Sequence, residues 1–166
     1  SEINKLKNVY YTSQVIEETV FFQKKERFVV CKLKGVSDDY LIKTNKDTLL
    51  TEGLPYLKNE GVDYCIPGYI IQGKLGFSSD PKYDNSLTIN GMVRNKRIKL
   101  STRPITKTVK VGGVFQTLTN NDEKFVFTSL GFAQNFLDYE NDITSIEIYS
   151  KSEDKNELYK LKAEIE

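Results

Sequence analysis

Between Val109 and Tyr149 the hydrophobic period changes from strand-like to helix-like and back, which limits the possible folds more than any other stretch. VKVGGVF is an apolar strand candidate that ends in the polar segment QTLTNNDEK. FVFTS follows as a second strand and runs straight into a helix candidate, LGFAQNFLDY. Polar ENDIT then leads to a third strand, SIEIYS. Strand, strand, helix, strand is a compact βαβ-containing cassette, which buries a helix face on a sheet. Ser129 stands as the helix N-cap, and Leu130, Ala133, Phe136 and Leu137 make the buried stripe. No catalytic motif sits in the cassette.

With 166 residues the chain can form one domain or two small subdomains with separate cores. Its 28% charged and 39% hydrophobic residues are an ordinary globular mix. The net charge of +1 supplies no global field toward nucleic acid or membrane. Histidine is absent, which removes the commonest general base and neutral metal ligand. Carboxylates and lysines remain available for chemistry. Cys31 alternates with Val29 and Leu33, so it reads as a small buried apolar residue; Cys65 also has apolar neighbours, and a disulfide is the alternative. No apolar run approaches the roughly 18 residues that span a bilayer. The chain opens inside a helix-like stretch, EINKLKNV, as expected of a piece of a longer protein.

The rest of the chain reads as follows. VYYTSQVIEETVFF is a strand whose alternation slips near Ser13–Gln14, suggesting a bulge or a change of face, and RFVVCKL returns as the second arm of a hairpin. From Lys43 onward Gly53, Pro55 and Gly61 punctuate short elements, VDYCIPG is a short strand, and GYIIQGKLG a helix stopped by Gly76. SLTINGMV and ITKTVKV are strands joined by the basic connection NKRIKLSTRP. Gly112 and Gly113 mark a place to bend between two sheets. In the last segment Ser152 reads as a cap, with Leu158, Leu161 and Ile165 on one apolar face.

The most informative charge pattern is a gap. From Asn85 to Asn121 there is no Asp or Glu, yet Arg94, Lys96, Arg97, Lys99, Arg103, Lys107 and Lys110 all lie there. The cluster Arg94, Lys96, Arg97, Lys99 and Arg103 reads either as a positive finger that docks an acidic partner or as a solvated loop. Nucleic acid is disfavoured, because no aromatic residue interleaves with the charges between Arg94 and Lys110. The acids Glu17–Glu18, Asp38–Asp39, Asp138, Glu140 and Asp142 read as solvated loop carboxylates; a carboxylate enzyme needs two of them across a cleft. No glycine set matches a phosphate-binding loop. No catalytic residue, metal or cofactor is expected.

VYYTSQVIEETVFFQKKERFVVCKLKGVSDDY, GVDYCIPGYIIQGKLGF, VKVGGVF and FVFTSLGFAQNFLDYENDITSIEIYSK, in this order, resemble the extracytoplasmic core domain of ABC-transporter permeases of the MacB, FtsX and LolC/LolE type. The lipoprotein-releasing LolC/LolE branch is the nearest likeness. The resemblance implies an α+β fold in two lobes: a Porter-like subdomain from residues 1–43 plus 112–166, and an inserted β-rich Sabre-like subdomain at 44–111. It further implies a non-catalytic domain on the periplasmic side of an inner membrane, in a permease that is a dimer when full-length. Its expected partners are an ATP-binding subunit, a periplasmic carrier or adaptor, and a lipidated or hydrophobic cargo. By position only, the carrier-capturing hairpin of the family corresponds to Arg94–Pro104. An FtsX- or MacB-type domain that binds another envelope partner is the alternative within the same resemblance.

Overall fold

β-Branched and aromatic residues dominate the first long strand, β1 (Val9–Lys24), which returns as β2 (Arg27–Val36) after a tight turn. Lys25 takes a φ of 53° in that turn. The computed structural model describes residues 3, 6–44, 49–54, 56–80, 82–92 and 104–165. The short helix α1 (Tyr40–Lys43) follows Asp38–Asp39, and then come β3 (Leu49–Gly53), β4 (Lys58–Asn59) and β5 (Val62–Pro67). The helix α2 (Tyr69–Leu75) ends at Gly76, whose φ of 67° forms the left-handed cap expected there. After β6 (Ser86–Gly91) come β7 (Ile105–Val111), β8 (Gly113–Gln116), α3 (Asn121–Lys124) and β9 (Phe125–Ser129). The chain closes with α4 (Leu130–Leu137), β10 (Ser145–Ser150) and α5 (Lys155–Ile165).

The strands form a mixed sheet in the order β10-β1-β2-β9-β5-β7-β6, and β6 also pairs with β1 at Phe21–Gln23. That last pairing closes β1, β2, β9, β5, β7 and β6 into a ring. Closure satisfies backbone groups that an open sheet leaves at its edges. The pairs β2–β9 and β5–β7 are parallel, and the other pairings of the ring are antiparallel. One parity of each strand then faces inward. Phe22 stands opposite Val29 and Ile89, Val20 opposite Cys31, Leu33 opposite Val126, Cys65 opposite Val111 and Leu87 opposite Val109. All of these are buried and belong to the larger hydrophobic core. Each such side chain contributes about 1.5–3 kcal/mol when fully removed from water.

Two helices join this core. Phe132, Ala133, Phe136 and Leu137 of α4 are buried in it, and Ser129 caps the helix by accepting from the Phe132 amide at 3.2 Å, as expected. Glycines on the inward parity make room: a Cβ on Gly35 would stand 2.4 Å from the Ala133 Cβ, and one on Gly91 2.8 Å from Phe136. Ile71 and Leu75 of α2 also enter the core, near the β1–β2 turn, where Gly76 lies against Arg27.

A second core lies on the outer face of β2, β9 and β5. Val15, Val36, Tyr40, Leu41, Leu57, Ile66, Phe115, Phe125 and Phe127 form it, with Tyr11 and Tyr149 packed at its edge. The break at Gly112 sends the chain from β7 in the ring to β8, which pairs with β3 in a separate two-stranded sheet. This is the passage between sheets that the paired glycines foretell.

β9, α4 and β10 form the expected βαβ unit, with β2 and β1 between its two strands. The two chain ends therefore do share one sheet. The segment 44–111, expected as a lobe of its own, supplies β5, β6 and β7 to the same ring, and α2 to the same core. Two local expectations shift. β1 carries no bulge at Ser13–Gln14 but changes face just after it: Val15 enters one core and Ile16 the other as the partner changes from β10 to β2, and the register slip lies between Val9 and Tyr11. The cap of α5 is Asp154, which accepts from the Asn156 and Glu157 amides at 2.8 and 3.1 Å, because Ser152 instead accepts from the Asp154 amide.

Candidate functional site

The basic connection leaves β6 and re-enters β7. These strands are antiparallel, with Ser86 opposite Lys110 and Gly91 opposite Ile105, so β6 and β7 are the two arms of a hairpin. Arg94, Lys96, Arg97, Lys99 and Arg103 all lie outside the described residues, whose limits here are Met92 and Pro104. Of the remaining cations in the acid-free stretch, Lys107 is engaged at the ring, its Nζ 5.7 Å from the Phe132 ring centroid. Lys110 lines a cavity of about 340 Å³ with Tyr56, Tyr64 and Asn85.

Sequence reasoning missed two features. The first is an apolar patch on the outward face of the ring. Phe28 is 69% exposed, Val30 52% and Phe21 49%. The signal was in the sequence: these residues fall on the parity opposite Phe22, Val29 and Cys31. Apolar character alone does not say which of two apolar faces turns inward.

The second feature is a polar cluster set into the outer core. Lys34 is 8% exposed and carries an ammonium among the rings of Tyr40, Phe125 and Phe127, at 5.2, 5.2 and 5.9 Å. It donates to Glu147 Oε1 at 2.6 Å and to the Tyr40 hydroxyl at 2.9 Å. Tyr40 and Tyr149 donate to Glu147 Oε2 at 2.7 and 2.9 Å. Burial by itself pushes the Glu147 carboxyl up, but the Lys34 and Tyr40 hydrogen bonds outweigh it, and the group titrates below its ordinary value. Burial, with Tyr149 and Glu147 alongside, pushes the Tyr40 phenol up; burial pushes Tyr149 to about 12. Tyr11 extends the cluster to Ser37 at 2.5 Å and Asp39 at 3.0 Å.

The cluster therefore ties β1, β2, α1 and β10 together. An open cavity of about 440 Å³ adjoins it, lined also by Thr44, Thr117 and Asn121. The chemistry available is that of a clamp. Lys34 is committed to a carboxylate and a phenol, and the phenols are held neutral, so nothing in the cluster is poised as a nucleophile.

Glu18 accepts from the Tyr139 hydroxyl, and Asp39 takes the Tyr11 and Ser37 hydroxyls. Asp138 sits in the left-handed cap of α4. Among the described residues no three of the ligating acids and cysteines gather into a metal-sized group. Cys31 and Cys65 are both free and buried; burial pushes the Cys31 thiol to about 12 and raises that of Cys65 as well. Among the described residues no helix is long and apolar enough to cross a membrane.

No protein-family profile and no curated protein matches the sequence. Solved structures do match. The extracellular domain of the noncanonic ABC-type transporter YknZ from Gram-positive bacteria superposes with a TM-score of 0.64 at 13% identity, over 96% of this chain and 74% of that one. The periplasmic region of MacB from Actinobacillus actinomycetemcomitans gives 0.60 at 12% identity, over 99% of this chain and 69% of that one. This chain has their fold. The α+β class expected from the sequence holds, built as a large mixed sheet with few helices.

Proposed function

We propose that this chain is the extracytoplasmic domain of an ABC-transporter permease subunit, on the periplasmic side of an inner membrane. The observation that carries the reading is a fold shared over at least 96% of the chain with two such transporter domains. The domain acts without catalysis. ATP hydrolysis belongs to a separate ATP-binding subunit, and this domain passes the resulting motion to a carrier or adaptor and to a lipidated or hydrophobic cargo. A ring that shares one core with both chain ends suits that task, because a rigid body transmits displacement.

Within this class we favour a lipoprotein-releasing system, on the sequence resemblance and on the cationic connection between β6 and β7. Arg94, Lys96, Arg97, Lys99 and Arg103 are the proposed partner contacts. The likeness to MacB supports a second reading, an efflux-type domain that binds an envelope adaptor. In either reading no nucleic acid is engaged, and the full permease is a dimer.

The docking role is tested by Arg97→Glu with Arg103→Glu, titrated against the periplasmic lipoprotein carrier at low ionic strength. Affinity is expected to fall, and to fall in the parent as salt rises. Unchanged affinity removes the docking role. The class itself is tested by the full reading frame, expected to encode a membrane span upstream and three downstream; flanks without any span contradict it.

A further inference from the structure

We infer that the cavity where β3, β5 and β7 meet binds a small organic carboxylate with an aromatic or otherwise apolar body. Tyr64 and Lys110 stand directly opposite each other across the parallel β5–β7 pair. Their chain neighbours Cys65 and Val111 are buried in the ring core, so Tyr64 and Lys110 project outward, side by side. The chain then breaks at Gly112, whose carbonyl accepts from the Leu54 amide at 3.1 Å. This holds the segment after β3 against the outward face and borders a cavity of about 340 Å³ with Leu54, Tyr56, Tyr64 and Lys110. Gly112 permits the close approach: a Cβ there would stand 3.0 Å from the Tyr56 carbonyl oxygen and 3.1 Å from the Tyr64 Cβ. Leu54 is 59% exposed and Tyr56 50%, so the apolar walls are open to an incoming molecule.

The polar groups around the cavity select the ligand. Backbone acceptors at Val111 and Gly112 are already used: the Val111 carbonyl takes the Asn85 side-chain amide at 2.9 Å, and the Gly112 carbonyl takes the Leu54 amide. Donors are left over. Among the described residues the Lys110 ammonium and the Tyr56 and Tyr64 hydroxyls have no hydrogen-bond or ion-pair partner. No carboxylate lines the cavity among the described residues. Glu52, next to Gly53 in the chain, is held instead by the side chains of Gln72 and Ser79. A ligand that brings acceptors and one negative charge therefore supplies what the cavity lacks. One cation suits a monocarboxylate better than a phosphate or a polyanion. The volume lies at the small end of ligand clefts, which suits one ring or a short branched chain, not a long acyl chain or a polymer. An amine is repelled by Lys110, and a neutral molecule leaves its charge unanswered.

The test titrates the isotope-labelled chain with phenylacetate at low ionic strength. Phenylacetamide, with the same ring and no charge, and acetate, with the charge and no ring, are the controls. Saturable amide shifts are expected at Leu54, Tyr64, Val111 and Gly112, with weaker responses to either control. Lys110→Gln is expected to weaken phenylacetate binding about fivefold and to leave the phenylacetamide response unchanged, whereas Lys110→Arg retains phenylacetate binding. Lys110 is exposed, so the melting temperature is expected to hold in both variants. The absence of saturable shifts, shifts centred elsewhere, a control that binds as well as phenylacetate, or full affinity in Lys110→Gln each overturns the inference. If Lys110→Gln does not fold, the comparison of phenylacetate with phenylacetamide on the parent chain still decides whether charge selects the ligand.

Discussion

Replacing Glu147 by Gln is the sharpest test of the polar clamp. Gln keeps the shape and can still accept from Tyr40 and Tyr149, but it strips the counter-charge from Lys34, whose side chain is 9% exposed. Removing one partner of a buried ion pair costs about 3–5 kcal/mol, because the remaining charge stays desolvated and uncompensated. Here the Glu147 side chain is 30% exposed, so water reaches part of the site and the expected cost is lower, about 2–3 kcal/mol. For a chain of this size that lowers the melting temperature by about 5–10 °C.

Lys34→Met should behave differently. It removes the ammonium, keeps an apolar stem among Phe125 and Phe127, and leaves Glu147 with two phenol donors and water, at a cost of about 1 kcal/mol. The double variant should return to within about 1 kcal/mol of the parent, so the two changes couple by about 2 kcal/mol. Urea unfolding of the four proteins measures the cycle. Additive effects, or a Glu147→Gln variant as stable as the parent, refute the clamp.

Two further outcomes follow from the same geometry. The Glu147 carboxyl titrates lower in the folded chain than its ordinary value of 4.5, so the unfolded chain takes up the proton first as pH falls. The resulting stability is fully present above about pH 4.5 and is lost as pH drops through the folded value; Glu147→Gln should flatten this part of the acid limb in pH-dependent melts. Gly35→Ala should destabilise by about 1–3 kcal/mol, because its new Cβ would stand 2.4 Å from the Ala133 Cβ. Adding Ala133→Gly should restore part of that loss in chemical denaturation, the remainder being the cost of a glycine within α4.

Several elements were readable from neighbouring residues alone. Ala133, Phe136 and Leu137 of the α4 stripe, its Ser129 cap, the stop at Gly76, the passage at Gly112 and the burial of Cys31 all depend on periodicity or on backbone preference within a few positions; Phe132 is buried where Leu130 was expected, and Leu130 is only half-buried. The capping of α5 was misread by two residues, since Ser152 and Asp154 both offer an oxygen at plausible spacing and only the geometry chooses. The candidate docking connection was legible as charge, because a run without acids is a property of the sequence itself. The apolar patch on the outward face of the ring was not, because Phe21, Phe28 and Val30 look like core residues in any local window.

What the chain order determined was which residues are strand, helix and turn, since those choices rest on steric and capping energies within one segment. Pairing was decided elsewhere. The contact of β6 with β1 joins residues far apart in sequence, and only that closure fixes which parity faces inward. The same closure leaves Phe28 in solvent and presses the Lys34 ammonium against the aromatic rings of β9, with a carboxylate from β10 to neutralise it. No local preference encodes such a meeting, because its energy exists only once all these strands are in place.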